Sequence, residues 1–237
     1  MSEEAELERA RAAYRARDAS GGSPYRWDNP GFIAYIQSVE RAVLGVLRAA
    51  EVPLSGARTL DVGCGSGYFL HRLREYGAGA CVGIDLLEER VAAARERYPA
   101  LEFHVGNAAE LPFADGSFDL VTQFTCLSSI VDDSVRLAAA REMRRVAAGG
   151  WVLSFDLRGS SGRRRPADAT PTVALDRGKL RRLFGEPSLL RPAGLRFDAA
   201  QALGRWPSLA AAVATLPLLR GSLVGLWRAP PDQRSER

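Results

Sequence analysis

Between residues 60 and 69 the chain reads Leu-Asp-Val-Gly-Cys-Gly-Ser-Gly-Tyr-Phe, and no other stretch restricts its fold so strongly. A short apolar strand, Arg58–Val62, runs into glycines at 63, 65 and 67, with a helix expected over Tyr68–Tyr76. Glycine has no Cβ, so such a turn bends sharply and lets a ligand lie against the backbone. The helix behind it offers free N–H groups in its first turn. A strand feeding a helix through a tight turn is the opening unit of a layered α/β domain.

The alternation continues. Strands are expected over Ala80–Ile84, Leu101–Val105, Phe118–Thr122 and Trp151–Asp156, with helices over Leu87–Tyr98 and Val135–Val146. Elements alternating in this way predict a parallel sheet covered by helices on both faces. After Asp156 the pattern loosens. Arg158–Thr172 is breaker-rich and reads as a mobile loop, and Asp176 caps a short helix ending at Phe184. Leu189–Phe197 and Ser222–Arg228 read as further strands, separated by a helical stretch, Ala199–Leu216, that Pro207 interrupts. Ahead of the first strand lie a charged helix over residues 1–18, a loop Ala19–Pro30 and an amphipathic helix Phe32–Glu51, whose apolar residues recur every three or four positions.

Composition narrows the classes. At 237 residues the chain suits one large domain, and 46% hydrophobic with 25% charged residues is ordinary for a globular protein. No apolar run approaches the ~20 residues of a membrane span, and the charged N-terminus holds no signal-peptide stretch, so a cytoplasmic location is expected. Three cysteines (Cys64, Cys81, Cys126) without ligand spacing predict neither disulfide framework nor metal site. The net charge of +4 is uneven: from Arg158 onward 15 basic residues face 6 acids. That half could attract anions or nucleic acid, although solvated arginine on helix faces is the simpler reading, and nucleic acid is not the expected partner.

Spacing decides what the glycine turn holds. The dinucleotide fingerprint G-x-G-x-x-G would need a third glycine where Tyr68 stands. Here the pattern is G-x-G-x-G, and Asp61 precedes it by two positions. A carboxylate there repels a pyrophosphate but pairs with an ammonium, which favours S-adenosylmethionine: it carries an amino group and a sulfonium and no phosphate. The segment resembles motif I of the class I methyltransferases, and further stretches match in order. Gly83-Ile84-Asp85 ends the second strand, Gly106-Asn107-Ala108 follows the third, and Ser117-Phe118-Asp119-Leu120-Val121 matches the fourth-strand motif.

The chain is therefore identified with the class I, type 11-like bacterial small-molecule methyltransferases. The resemblance implies a Rossmann-like fold with a mostly parallel seven-stranded sheet flanked by helices, and S-adenosyl-L-methionine as cofactor. It further implies a helical cap over 1–50 and a methyltransferase domain over 51–237. Within that domain the cofactor-binding core covers 58–157 and a substrate side covers 158–237. It assigns cofactor contacts to Asp61, Gly63, Cys64, Gly65 and Gly67; to Asp85 on the ribose hydroxyls and Leu86 on the adenine; to Asn107 and Ala108 at the adenine edge. Gln123 and Phe124 would face the methyl group. The family's usual aspartate is replaced by Asn107, whose carbonyl still accepts a hydrogen bond.

No nucleophilic triad accompanies the glycine turn, and the two histidines, His71 and His104, read as packed or edge residues. Asp156, Gln123 and Tyr25 are the candidate bases for deprotonating an acceptor. Tyr14, Tyr25, Trp27 and Phe32 are candidates for an apolar acceptor wall, with the 158–172 loop and the Trp206-Pro207 helix opposite. The expected reaction is methyl transfer to an oxygen, or less readily a nitrogen, of a small metabolite such as a sugar or a specialised metabolite, with a homodimer as one form the protein can take. RNA or protein methylation, a dehydrogenase, and a non-catalytic cofactor binder stay open as alternatives.

Overall fold

The computed structural model describes residues 3–19, 26–158 and 172–231. Its strands are β1 (Thr59–Val62), β2 (Cys81–Asp85), β3 (Glu102–Val105), β4 (Leu120–Phe124), β5 (Trp151–Leu157), β6 (Leu189–Leu195) and β7 (Arg220–Arg228). All seven join one sheet in the order β3-β2-β1-β4-β5-β7-β6. The first five are parallel, with Leu60 beside both Val82 and Val121. Strand β7 runs antiparallel between β5 and β6. The strand order reverses between β1 and β4, which leaves a crevice at the carboxyl ends of the parallel strands, where open α/β sheets bind ligands.

Helices α1 (Glu3–Ala19), α2 (Pro30–Ala49), α3 (Tyr68–Glu75), α4 (Glu88–Arg97), α5 (Cys126–Ser129), α6 (Asp133–Val146), α7 (Arg177–Phe184), α8 (Phe197–Leu203) and α9 (Pro207–Val213) complete the chain. The sheet is buried on both faces. Val121, Met143, Val146, Leu180 and Trp227 form the layer on the α6–α7 side. Val43, Leu70, Val91, Phe103 and Leu153 form the other, beneath α2, α3 and α4. Each fully buried Leu or Val contributes ~1.5–3 kcal/mol. Helix α2 is thus part of the core: its apolar stripe of Val39, Val43, Val46 and Leu47 lies on the sheet.

Three differences from the sequence reading have plain causes. The fourth strand begins at Leu120, because Asp119 turns aside and its Oδ2 accepts the Arg58 N–H at 2.8 Å. Helix α5 escapes any periodicity argument, since four residues make barely one turn. The helical stretch over 199–216 divides into α8 and α9 at Pro207, which lacks an N–H and starts a helix well. Residues 159–171 of the expected 158–172 loop, and Tyr25, lie outside the described residues. No helix among the described residues is long and apolar enough to cross a membrane.

Candidate active site

The carboxyl ends of β1, β2 and β4 open into a cavity of about 1110 Å³. The glycine turn forms its floor. Gly63 and Cys64 donate their N–H groups to the Ile84 carbonyl at 2.8 and 3.0 Å, which pins the turn to β2. Gly65 and Gly67 sit at φ 54° and 79°, where a side chain is strained. A Cβ on Gly65 would meet nothing within 4 Å, whereas one on Gly67 would come 2.7 Å from the Phe103 ring. Gly65 therefore offers bare backbone to the cavity, and Gly67 packs inward at the start of α3.

Two carboxylates flank this floor. Asp85 is 8% exposed; its Oδ2 accepts the Gly65 N–H at 2.8 Å and its Oδ1 the Leu87 N–H at 3.0 Å. Each oxygen keeps a lone pair for a ligand hydroxyl. Asp61 is 2% exposed, and its bond runs to the Thr122 hydroxyl at 2.8 Å on β4. Burial raises its pKa to about 7, with the Thr122 hydrogen bond opposing and the nearby Asp85 charge adding. Leu86, Gly106, Asn107 and Ala108 continue the wall, and Asn107 Oδ1 holds the Ala109 N–H at 3.0 Å. Cys64 also lines the cavity, with its thiol pushed up by burial and the two aspartates.

Beyond the floor, Phe124 stacks on Phe69 at 3.9 Å and 10°. Both rings line the cavity, followed by Thr125, Cys126, Ser128 and Ser129. Gln123 is placed behind this wall and not at the methyl group. Successive strand residues point to opposite faces, so Gln123 and Phe124 cannot both enter the site. The Gln123 Oε1 accepts the Cys126 and Leu127 N–H groups at 2.9 and 3.2 Å, while its Nε2 donates to Ser154 Oγ and Asp156 Oδ2. Asp156 is equally enclosed: its Oδ1 accepts the Ser128 N–H at 3.1 Å, and burial raises its pKa to about 6. Neither side chain borders the cavity, so neither reaches an acceptor's proton. Together they hold the first three N–H groups of α5.

Helix α1 closes the far side with Glu6, Leu7, Ala10 and Tyr14. Glu6 is 1% exposed; Arg9 grips it through two N–H donors at 2.7 and 2.9 Å, and Val131 donates its N–H at 2.7 Å. Arg9 also donates to the Ser129 carbonyl, so α1 is clasped to the segment after α5. Trp27 and Phe32 reach the cavity as well. Trp206 does not: it stands 58% exposed on the outside, and Phe197 at the start of α8 takes the place assigned to it. His71 stacks on Tyr98, and His104 bonds Glu102, both away from the cavity.

Residues 59–150 match the family model described as a methyltransferase domain. Over that segment the chain is similar to methyltransferase domains. The chain is 31% identical to a probable S-adenosylmethionine-dependent methyltransferase of Mycolicibacterium smegmatis, over 63% of this chain and 55% of that one. It is 40% identical to ajmaline N-methyltransferase of Rauvolfia serpentina, over 40% of this chain and 33% of the relative. The chain thus spans between a third and about half of those relatives' lengths. Among solved structures, a chain of the Haloferax volcanii complex between the Trm112 methyltransferase activator and a methyltransferase superposes with a TM-score of 0.66. It is 21% identical, and the match covers 92% of this chain and 99% of the other.

The methyltransferase cofactor, S-adenosylmethionine, fits what the floor offers: buried carboxylates at Asp61 and Asp85, and an unobstructed backbone at Gly65. Sequence reasoning missed the Glu6–Arg9 clasp, the Phe69 ring, Phe197 and the α5 turn. Only Phe69 carried a signal, because it lies two residues beyond Gly67, in the first turn of the helix that the glycine turn opens.

Proposed function

We propose that this chain transfers a methyl group from S-adenosylmethionine to an oxygen of a small metabolite. The observation that carries the reading is the pair Asp61 and Asp85 beside the open face of Gly65, in a cavity that extends well past them. When bound, the cofactor supplies an electrophilic methyl carbon on a sulfonium. Asp85 would receive the ribose hydroxyls on its free lone pairs, and Asn107 and Ala108 the adenine edge. Asp61 would balance the cationic amino-acid end from β1. Phe124 and Phe69 would border the transferred carbon and exclude water there, which strengthens the carboxylate–cation attraction.

The residues 1–50, as a cap, would supply the acceptor's wall through α1 and α2. Positioning of acceptor against methyl carbon then contributes most of the rate, since the sulfonium is already a good leaving centre. A second reading, transfer to nitrogen, draws support from the likeness to ajmaline N-methyltransferase. The test is calorimetric titration with adenosylhomocysteine and, separately, NAD. Binding of the first without the second is the expected result; NAD binding alone would overturn the reading.

A further inference from the structure

Beyond the cofactor floor, the cavity is walled by Phe32, Tyr35, Phe69, Phe124, Phe155 and Phe197. The rings hold one another in place: Tyr35 meets Phe197 edge-on at 5.5 Å, and Phe124 lies 6.4 Å from Phe155. Such walls bind by offset stacking and edge-to-face contact.

The polar groups of this half are already engaged. Thr125 Oγ1 donates to the Phe124 carbonyl at 2.7 Å, and the Ser128 and Ser129 hydroxyls donate to the Thr125 carbonyl at 3.1 and 2.8 Å. The Tyr68 hydroxyl is on Glu40, and Glu6 is filled by Arg9 and Val131. These hydroxyls have spent their protons and keep only acceptor lone pairs, so a polyhydroxylated acceptor would give up more of its water here than it regains. Among the described residues lining the cavity, the charged groups are Glu6, Asp61, Asp85, Glu89 and Arg90. Glu6 pairs with Arg9, Glu89 with Arg15, and Arg90 lies over the Tyr14 ring, so among the described residues the ring-lined wall itself brings no cation to a carboxylate or phosphate. Asp156, the acid nearest in sequence to the Phe155 wall, is enclosed behind α5 and takes no proton from the cavity.

We propose that the acceptor is an uncharged, planar aromatic molecule whose nucleophile is an acidic ring hydroxyl, seated against the Phe69–Phe124 stack. This rests on the methyltransferase reading above. A ring hydroxyl ionises near pH ~10, as tyrosine does, far more readily than an alcohol, so its proton can pass to solvent as the acceptor docks, before the rings exclude water, without an enzyme base. The acceptor oxygen bonds to the methyl carbon as the carbon–sulfur bond breaks; that electron pair stays on sulfur, and the products are an aryl methyl ether, adenosylhomocysteine and one proton.

The experiment offers the full chain S-adenosylmethionine with hydroxylated arenes (naphthol, hydroxyquinoline, a flavonol) and, in parallel, a hexose, glucosamine and a dicarboxylic acid. Adenosylhomocysteine formation and the mass of the acceptor are read, with adenosylhomocysteine affinity by calorimetry alongside. Methylation of at least one arene, and of none of the others, is expected. Phe197→Ala and Phe69→Leu should each raise the arene KM about tenfold. In Phe197→Ala the adenosylhomocysteine affinity should hold, which also shows that the variant is folded. Turnover of the sugars or the acid with the arenes inert overturns this proposal and leaves the methyltransferase reading standing. Absence of adenosylhomocysteine binding overturns both.

Discussion

The Asp85 carboxylate and the Gly65 backbone N–H are joined at 2.8 Å, so one side chain both faces the ligand and fixes the floor the ligand lies on. Asp85→Ala removes the expected ribose acceptor and the tie together. Hydrogen bonds to a charged group contribute ~1.5–3 kcal/mol each, so adenosylhomocysteine affinity should fall at least about a hundredfold. Calorimetric titration checks this. Asp85→Asn, which can still accept one bond, should lose less, and equal affinity in wild type and the alanine variant would remove Asp85 from the site.

Asp61 links the site to pH. Its carboxyl has a reference pKa of 3.8 and is raised to about 7 by burial, so the folded chain holds a proton that the unfolded chain releases. The stability it contributes is therefore full below about pH 4 and lost as pH rises through about 7; Asp156, raised to about 6, acts in the same direction. Cofactor binding has the opposite sign, since a cation prefers the ionised carboxylate. Affinity for S-adenosylmethionine should tighten from about pH 6 to about pH 8 with proton release. Titration in buffers of different ionisation enthalpy measures that release. Asp61→Asn should flatten the pH dependence of binding, and a profile unchanged in that variant would sink the assignment.

The two inner glycines should separate binding from folding. At Gly65 a new methyl meets no protein atom, so Gly65→Ala costs only the left-handed backbone, about 1–2 kcal/mol, while intruding on the ligand. Gly67→Ala adds a clash with the Phe103 ring and should destabilise more. Thermal melts and adenosylhomocysteine titration together would show a binding-dominated loss at 65 and a stability-dominated loss at 67.

Gln123→Leu keeps the bulk of the side chain and strips the acceptor from the Cys126 and Leu127 N–H groups. Each buried donor left unmade costs ~1–3 kcal/mol, so the urea midpoint should drop clearly. Adenosylhomocysteine affinity should change less than kcat, because the turn that moves carries Phe124, Thr125 and Ser128 and not the floor. A fall in affinity larger than the fall in kcat would place Gln123 at the ligand after all.

The parts legible in the sequence were those with short-range rules. The seven strands follow from apolar runs, and the floor from glycine spacing with Asp61 and Asp85 at strand ends. Gln123 shows where that reading stops. Its place at a strand end suggested a ligand contact, but the residue's parity along β4 sends it to the other face, and parity depends on a register only the sheet fixes. Phe197 and the Glu6–Arg9–Val131 clasp are long-range meetings, and no local pattern announces them.

The floor and the ring-lined chamber draw on partly different stretches of chain. The first comes from residues within 59–150; the second shares Phe69 and Phe124 with that span but takes Glu6, Phe32, Tyr35, Phe155 and Phe197 from before or after it. Acceptor preference can therefore drift by substitutions at the two flanks while the segment that handles the methyl donor is left untouched, so that one donor site can serve a lineage of enzymes with unrelated acceptors.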